Sequence, residues 1–488
     1  MNATYYVTTS IPYVNARPHV GFALELVQAD ALARWHRLLG EEVFFLTGAD
    51  ENALKNVQAA AREGLTPREL CDRNAAVFQD LLRALDISAD RFIRTSGEAH
   101  FRGASKFWGA CRKGDIYRRR YRGLYCVGCE DFYIEKDLEE GRCPTHLTRP
   151  EIVEEENYFF RLSAYQETLE ELILSEKLRI APETRRNEAL GFIRQGLQDF
   201  SISRVRERSG GWGIPVPGDP SQVIYVWFDA LTNYLTGLGY GSDEGLFERF
   251  WLTNPRKAHV IGKDVLKFHA VYWPAMLLSA GLPLPETVWA HGFLTVDGQK
   301  ISKSLSNAVD PFYLVERYGR DAVRYYLLRA IPSGADGDFS EARLREVYSA
   351  DLANGLGNLV RRVETLCERA GYRQEKQGNG EAVARRFIAV NAEALEDFRF
   401  HDALRAIWGQ VRVLNQEIEE ARPWDLLKQG SGTRLDDLLT RWVAGVRSIA
   451  WGLTPFLPET AQEIEEAFSG ERIAPREPLF PRLNPVLP

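Results

Sequence analysis

The chain has 488 residues, 45% hydrophobic and 26% charged, the make-up of an ordinary globular protein with room for about three domains. Its 61 basic and 68 acidic side chains leave a net charge of −7, so the whole molecule does not attract polyanions and a nucleic-acid partner needs local basic patches. No apolar run approaches the roughly 18 residues of a membrane span and no signal-peptide pattern opens the chain, so no membrane is involved and the cytoplasm is the expected compartment.

Thr4 to Thr9 reads as a strand, Gly21 to Leu39 as a helix and Glu42 to Thr47 as a second strand, followed by helical, charge-mixed sequence to Lys113. This alternation predicts an α/β fold with a doubly wound parallel sheet over residues 1–115. Such sheets bind ligands at the carboxyl ends of their strands, where Pro18-His19-Val20-Gly21 falls. His-x-Gly at a helix start is a cap on its own. Beside the helix's N-terminal amides it is also suited to an anion.

From Tyr117 to Arg208 the character changes, which marks residues 116–210 as an insertion. Arg118-Arg119-Arg120 and Arg122, interleaved with Tyr117 and Tyr121, have the look of a solvated strand edge. Six cysteines are too few for a disulfide scaffold. Three of them, Cys126, Cys129 and Cys143, stand with His146 in a Cys-x2-Cys…Cys-x2-His arrangement. Two close pairs of thiolate or imidazole ligands fill a tetrahedral zinc site, so the expectation is one structural Zn2+ in a knuckle. A redox Cys-x-x-Cys leaves the second pair unexplained. Cys71, Cys111 and Cys367 read as packed thiols.

Strand and helix alternate again over 211–295: Val223 to Phe228, Ala258 to Ile261, a helix from Asp264 to Ala280, and Val288 to Leu294. One sheet domain is thus split by the insertion. In the 296–347 region, an Asp297-Gly298 turn leads into Lys300-Ile301-Ser302-Lys303-Ser304. From 348 to 488 only helical stripes remain. They are Leu352, Leu356, Leu359, Val363 and Leu366; then Leu404, Ile407, Val411, Leu414 and Ile418; then Leu435, Leu438, Trp442, Val446 and Ile449. Such stripes bury against one another in an all-α bundle.

His19-Val20-Gly21 and the two-lysine loop, roughly 280 residues apart, resemble the His-Ile-Gly-His and Lys-Met-Ser-Lys-Ser signatures of class I aminoacyl-tRNA synthetases. Longer segments resemble the methionyl-tRNA synthetase family nearly end to end. They include Thr9-Ser10-Ile11-Pro12-Tyr13-Val14-Asn15, Asp199-Phe200-Ser201-Ile202-Ser203-Arg204, Tyr225-Val226-Trp227-Phe228-Asp229-Ala230 and His259-Val260-Ile261-Gly262-Lys263-Asp264.

The resemblance implies a Rossmann-type catalytic domain, the zinc knuckle and a helical anticodon-binding domain. It implies that the chain activates L-methionine with ATP and transfers it to tRNA(Met), with Mg2+ arriving on ATP. His19, Lys300 and Lys303 would act on the triphosphate, where positive charge must meet the departing pyrophosphate. ATP would also touch Gly21, Gly262 and Ser302. Methionine would be held by Ile11, Tyr13, Asp50, Trp227, Leu231, Tyr234 and His291, with Asp50 on the ammonium and the aromatics around the thioether. Asn358, Arg362 and Trp424 would read the anticodon, the indole by stacking.

Two departures stand out. Phe22 replaces the last histidine of the first signature, and Ala49-Asp50-Glu51-Asn52-Ala53 replaces the family's Thr-Asp-Glu-His-Gly. The alternative these leave is a non-catalytic or altered-specificity paralogue. Relatives for isoleucine, valine or leucine carry large editing insertions, because one methylene is discriminated by only about 1–3 kcal/mol. Residues 116–210 are too short for that. A monomer is expected.

The zinc reading has a direct measurement. Purified without chelators, the chain should carry about one zinc per molecule, and Cys143→Ser should lower that content and destabilise the insertion. Less than about half an equivalent in the parent chain would refute a structural site.

Overall fold

Tyr6, Val7, Thr8 and Thr9 are all fully buried, as expected of a strand covered on both faces. They lie in β1 (Thr4–Thr9), near the middle of a six-stranded parallel sheet in the computed structural model, which describes residues 3–127, 131–133, 135, 138–144, 147–300, 308–374, 391–428 and 432–483. The chain forms two units, one of Met1–Pro18, Glu41–Leu82 and Ser88–His291, the other of His19–Gly40, Arg83–Ile87 and Gly292–Pro488.

In the first unit, β1 is flanked by β2 (Glu42–Ala49) and β12 (Lys257–Gly262). Beyond them lie β3 (Arg91–Arg94) on one side, and β13 (Thr287–His291) and β7 (Arg179–Ala181) on the other. Tyr6 sits opposite Phe44, Thr8 opposite His259, and His259 opposite Val288. The chain winds outward from β1 in both directions, so the gap between β1 and β12 is the topological switch point. Strand β7 belongs to this sheet although it falls within the 116–210 span that the sequence marks as an insertion.

The span contains more strand than its composition suggests. Strand β4 (Ile116–Cys126) pairs antiparallel with β6 (Glu151–Phe160), with β5 (Asp131–Tyr133) and β8 (Phe200–Ser201) outside them. The arginine run is matched by glutamates across the ladder: Arg120 faces Glu156 and Arg122 faces Glu154. Arg120 pairs with Glu154 at 3.1 Å, and Arg118 with Asp219 at 3.3 Å. Exposed pairs of this kind add at most about 1 kcal/mol each. They offset the charge of Arg118 and Arg120.

Val223 to Phe228 does not extend the parallel sheet. Strand β11 (Asp219–Ile224) stops at Ile224 and pairs antiparallel with β9 (Ser203–Val205) and β10 (Pro215–Val216). Tyr225 N then donates to Ile202 O at 2.8 Å, and Val226–Leu231 turns helical. Long-range pairing has overridden an apolar, β-prone run. The expected helix from Asp264 is also broken, into a 3-10 turn (Lys263–Val265), a π-helical turn (Phe268–Tyr272) and the helix Trp273–Ala280.

In the second unit, β14 (Leu294–Val296) makes the turn at Asp297 and Gly298, both with positive φ, into β15 (Gln299–Lys300). Strand β16 (Gly337–Phe339) lies parallel to β14 on its other side. The helix Val20–Leu38 packs on Arg320–Arg329 in this unit. From Glu341 to Ala370 the chain is helical throughout, with π-helical turns at Tyr348–Gly357. Helices Phe400–Ala421, Pro423–Lys428, Thr433–Leu453 and Pro458–Phe468 follow. The expected stripes are buried except that Leu366 and Leu438 are half-exposed, and Leu439 takes the inward position of the third stripe. No described helix is long and apolar enough to cross a membrane.

Candidate active site

At the carboxyl ends of β1 and β2, Asp50 N donates to Pro12 O at 2.9 Å, and Tyr13 and Asp50 form a parallel bridge. The Thr9 and Thr47 hydroxyls meet at 2.7 Å just below. These bonds bring Ile11, Tyr13 and the buried Asp50 to one edge of the sheet. Tyr13 meets Trp227 edge to face, with centroids 6.4 Å apart. Trp227 stacks flat on Phe268 at 3.8 Å, and its buried indole N–H has no hydrogen-bond partner among the described residues. Leu231 and Tyr234 are buried on the same short helical stretch. Tyr13, Trp227 and Phe268 are thus in ring contact, and Ile11, Leu231 and Tyr234 belong to or pack against the same hydrophobic core.

The last of the expected methionine residues, His291, ends β13 beside Gly262, where its Cε1 would lie 3.8 Å from a Cβ on the glycine. His269, which the sequence reading missed, meets the aromatics as well. Its Nε2 is 2.7 Å from the Tyr234 hydroxyl and its ring is 6.3 Å from that of Trp227. His269 and Phe268 sit on the π-helical turn, a distortion often found at functional positions. A single histidine in the apolar run from Val265 to Leu278 was the available signal. Lys55 is a second addition, its Nζ 3.7 Å above the Tyr13 ring.

The tautomers follow from the partners. His269 Nδ1 is 3.0 Å from Val265 O, which can only accept, so Nδ1 carries the proton and Nε2 accepts from Tyr234. Trp273 Nε1 donates to His259 Nε2 at 3.2 Å, so His259 donates from Nδ1 to Thr8 Oγ1 at 2.7 Å. Burial pushes His269 down to about 4 and His259 well below the usual imidazole range. Two uncharged imidazoles therefore lie under the aromatics.

His19 and Gly21 lie in the other unit. His19 is the N-cap of Val20–Leu38, with Nδ1 accepting from Gly21 N at 3.1 Å, which leaves the neutral ring's proton on Nε2. A Cβ at Gly21 would come within 3.0 Å of the His19 ring, so glycine lets the imidazole fold over the backbone. Val20 N donates to Val309 O at 3.1 Å, tying this helix start to the segment downstream of the lysine loop. Lys300 ends β15. Its side chain, and Ser302 and Lys303, lie outside the described residues, as do Cys129 and His146 of the zinc set. Cys126 and Cys143 are buried and not joined by a disulfide.

Asn358 is exposed at the start of Asn358–Ala370, and Arg362 pairs with Glu419 at 2.8 Å. Trp424, 36% exposed, stands on Pro423–Lys428, which packs on Asn358–Ala370. Arg422, with positive φ, stops the preceding helix.

The buried imidazoles make stability depend on pH. Above 6.5 His269 is neutral whether the chain is folded or unfolded. As pH falls below 6.5 the unfolded chain takes up the proton first, and stability is lost down to about pH 4. His269→Gln keeps an acceptor for Tyr234 and removes this contribution. Its melting temperature should fall less than the parent's between about pH 7 and about pH 5.5. Parallel declines would overturn the neutral-imidazole assignment.

A family described as tRNA synthetases class I (M) matches residues 5–149 and 134–364. The methionine–tRNA ligase of Thermotoga maritima is 42% identical over 488 residues, covering 97% of this chain and 77% of the relative. That of a Nostoc species is 45% identical over 477 residues, covering 94% of this chain and 89% of the relative. Among solved structures, Mycobacterium tuberculosis methionyl-tRNA synthetase in complex with methionyl-adenylate has a TM-score of 0.89 and 40% identity, covering 98% of this chain and 100% of that one. Likeness of this extent in sequence and in fold leaves one assignment: the chain belongs to the class I tRNA synthetases (M).

Proposed function

We infer that the chain is a methionine–tRNA ligase. It joins the carboxylate of L-methionine to the α-phosphate of ATP with release of pyrophosphate, then passes the methionyl group to the 3′ end of tRNA(Met) with release of AMP. The observation that carries this reading is the aromatic cluster of Tyr13, Trp227, Tyr234 and Phe268, with Asp50 bridged to Tyr13. A flexible thioether suits aromatic faces, at about 0.3–1.5 kcal/mol per contact. Neutral His269 adds polarity without charge. The buried carboxylate of Asp50 is matched to an α-ammonium by a charge-assisted bond.

For the nucleotide, His19 offers Nε2–H beside the N-terminal amides of its helix, and the glycine at 21 leaves room for the adenosine portion. Gly262 is equally constrained, since a Cβ there would lie 2.6 Å from Asp264 Oδ1. Lys300 and Lys303, with Ser302, would place positive charge on the triphosphate as charge moves to the leaving group. Mg2+ would enter on the phosphates and keep much of its water. Zinc would be held by Cys126, Cys129, Cys143 and His146 and would brace the insertion. The buried, unbridged pair Cys126 and Cys143 fits such a centre. Asn358, Arg362 and Trp424 would read the anticodon, and the cytoplasm is the matching compartment.

The lysine loop is tested by Lys303→Ala. Methionine-dependent ATP–pyrophosphate exchange should slow about 10²–10³-fold, as for loss of one preorganised donor, while methionine affinity without ATP stays unchanged. An adenylation rate within about threefold of the parent would sink the role given to Lys303.

Trp424→Ala tests the tRNA end. Aminoacylation efficiency should fall by about 1–3 kcal/mol in transition-state terms, with tRNA-independent exchange near the parent rate. A common fall in both reactions would mean that Trp424 holds the fold and reads no base.

A further inference from the structure

Asn52 stands where the resemblance leads one to expect histidine, and its amide has a definite task. Nδ2 donates twice, to Thr95 O at 3.1 Å and to Asp229 Oδ2 at 3.0 Å. The second carboxylate oxygen, Asp229 Oδ1, is 3.0 Å from His100 Nε2, and His100 Nδ1 is 2.7 Å from Thr236 Oγ1. Asp229 is completely buried, His100 nearly so, and Asn52 is 9% exposed.

Asp229 therefore joins three stretches that are distant in sequence. Asn52 follows Asp50 by two residues off the end of β2. Asp229 lies two residues from both Trp227 and Leu231 on one short helix. His100 belongs to the helix Glu98–Ala110. We propose that Asn52, Asp229 and His100 are positioning residues of the amino-acid site, the Asn52–Asp229 bond setting the distance between the Asp50 carboxylate and the Trp227 ring. His100 fixes the Asp229 side chain from its other oxygen.

Methionine must be gripped at both ends at once, with its ammonium on Asp50 and its thioether among the aromatics. Supports of that kind are effective only when held to about 0.5 Å. Burial raises the Asp229 carboxyl above the ordinary range, while the hydrogen bonds from His100 and Asn52 oppose the rise and favour the carboxylate. Without the Asn52 donor, a buried oxygen two residues from Trp227 loses its partner. The short helix then has no fixed spacing from Asp50. The inference rests on the assignment of this aromatic cluster to methionine.

Pyrophosphate exchange by the full chain, with methionine and ATP varied separately, tests it. Asn52→Ala should raise KM for methionine about tenfold, the scale of a lost bond to a charged group, with KM for ATP within about twofold. Asn52→His returns a ring N–H donor and should restore methionine KM to within about threefold of the parent. Should Asn52→Ala fail to fold, Asn52→Gln, which moves the donor outward by one methylene, carries the same expectation.

Unchanged methionine KM in the folded variant overturns the proposal. So does a parallel rise in both KM values with a fall in kcat, which is the mark of general structural damage. Asp50→Ala separates the two layers of the argument. If it leaves methionine KM unchanged, the pocket assignment itself is wrong. If it raises that KM and Asn52→Ala does not, only the positioning role falls.

Discussion

Arg324 is fully buried, and its guanidinium is the constraint on which the second unit is built. One nitrogen pairs with Asp30 Oδ2 at 2.7 Å. That nitrogen, Nη2, also donates to Pro455 O at 3.3 Å, while Nε donates to Phe456 O at 2.7 Å and Nη1 to Leu85 O at 3.1 Å. A buried charge costs several kcal/mol unless its partners are all in place. The planar fork of arginine can satisfy four acceptors from four directions, which lysine cannot. Through this one side chain, Arg320–Arg329 holds the helix capped by His19, the Arg83–Ile87 segment and the turn between Thr433–Leu453 and Pro458–Phe468. Arg34 adds a second tie, reaching Asp30 at 2.8 Å and Asp86 at 3.0 Å.

The first unit solves a different problem, that of burying imidazoles among aromatic rings without charge. Each imidazole below Trp227 and Tyr234 is locked into one tautomer by a partner that can only donate or only accept. Val265 O fixes His269 and the Trp273 indole fixes His259. Tyr234 spends its hydroxyl proton on His269, and the Tyr6 hydroxyl donates to Tyr234 O at 2.8 Å. Both imidazoles are thus uncharged beneath the aromatics. Asp50 stands at the strand ends, bridged to Tyr13. Such a division suits a ligand with one charged and one apolar end, and fixed polar groups are what give a pocket its discrimination.

Much of this was legible in the residues. The strand over Thr4–Thr9, the turn at Asp297-Gly298 and the helical stripes depend on local period and turn chemistry, and they stand where the sequence puts them, give or take a residue. The His-x-Gly element was legible for the same reason: a cap, a small residue and a helix start are adjacent in the chain. Leu438 and Leu439 show the limit of such reading, since both fit a stripe and packing chose the second.

The sequence by itself determined the family, the parallel sheet and the helical end, because each rests on neighbours within a few residues or on motifs of fixed spacing. Only the tertiary structure decided that Val223–Phe228 breaks into strand and helix, that Arg179–Ala181 joins the main sheet, and that the His19 helix packs with Arg324. It also put His269 under Tyr234 and Asn52 against Asp229, 177 positions away. Those choices depend on which distant group satisfies a buried polar atom. A hydrogen bond or ion pair between remote segments leaves no periodic trace in the chain, so nothing short of the packed structure could select it.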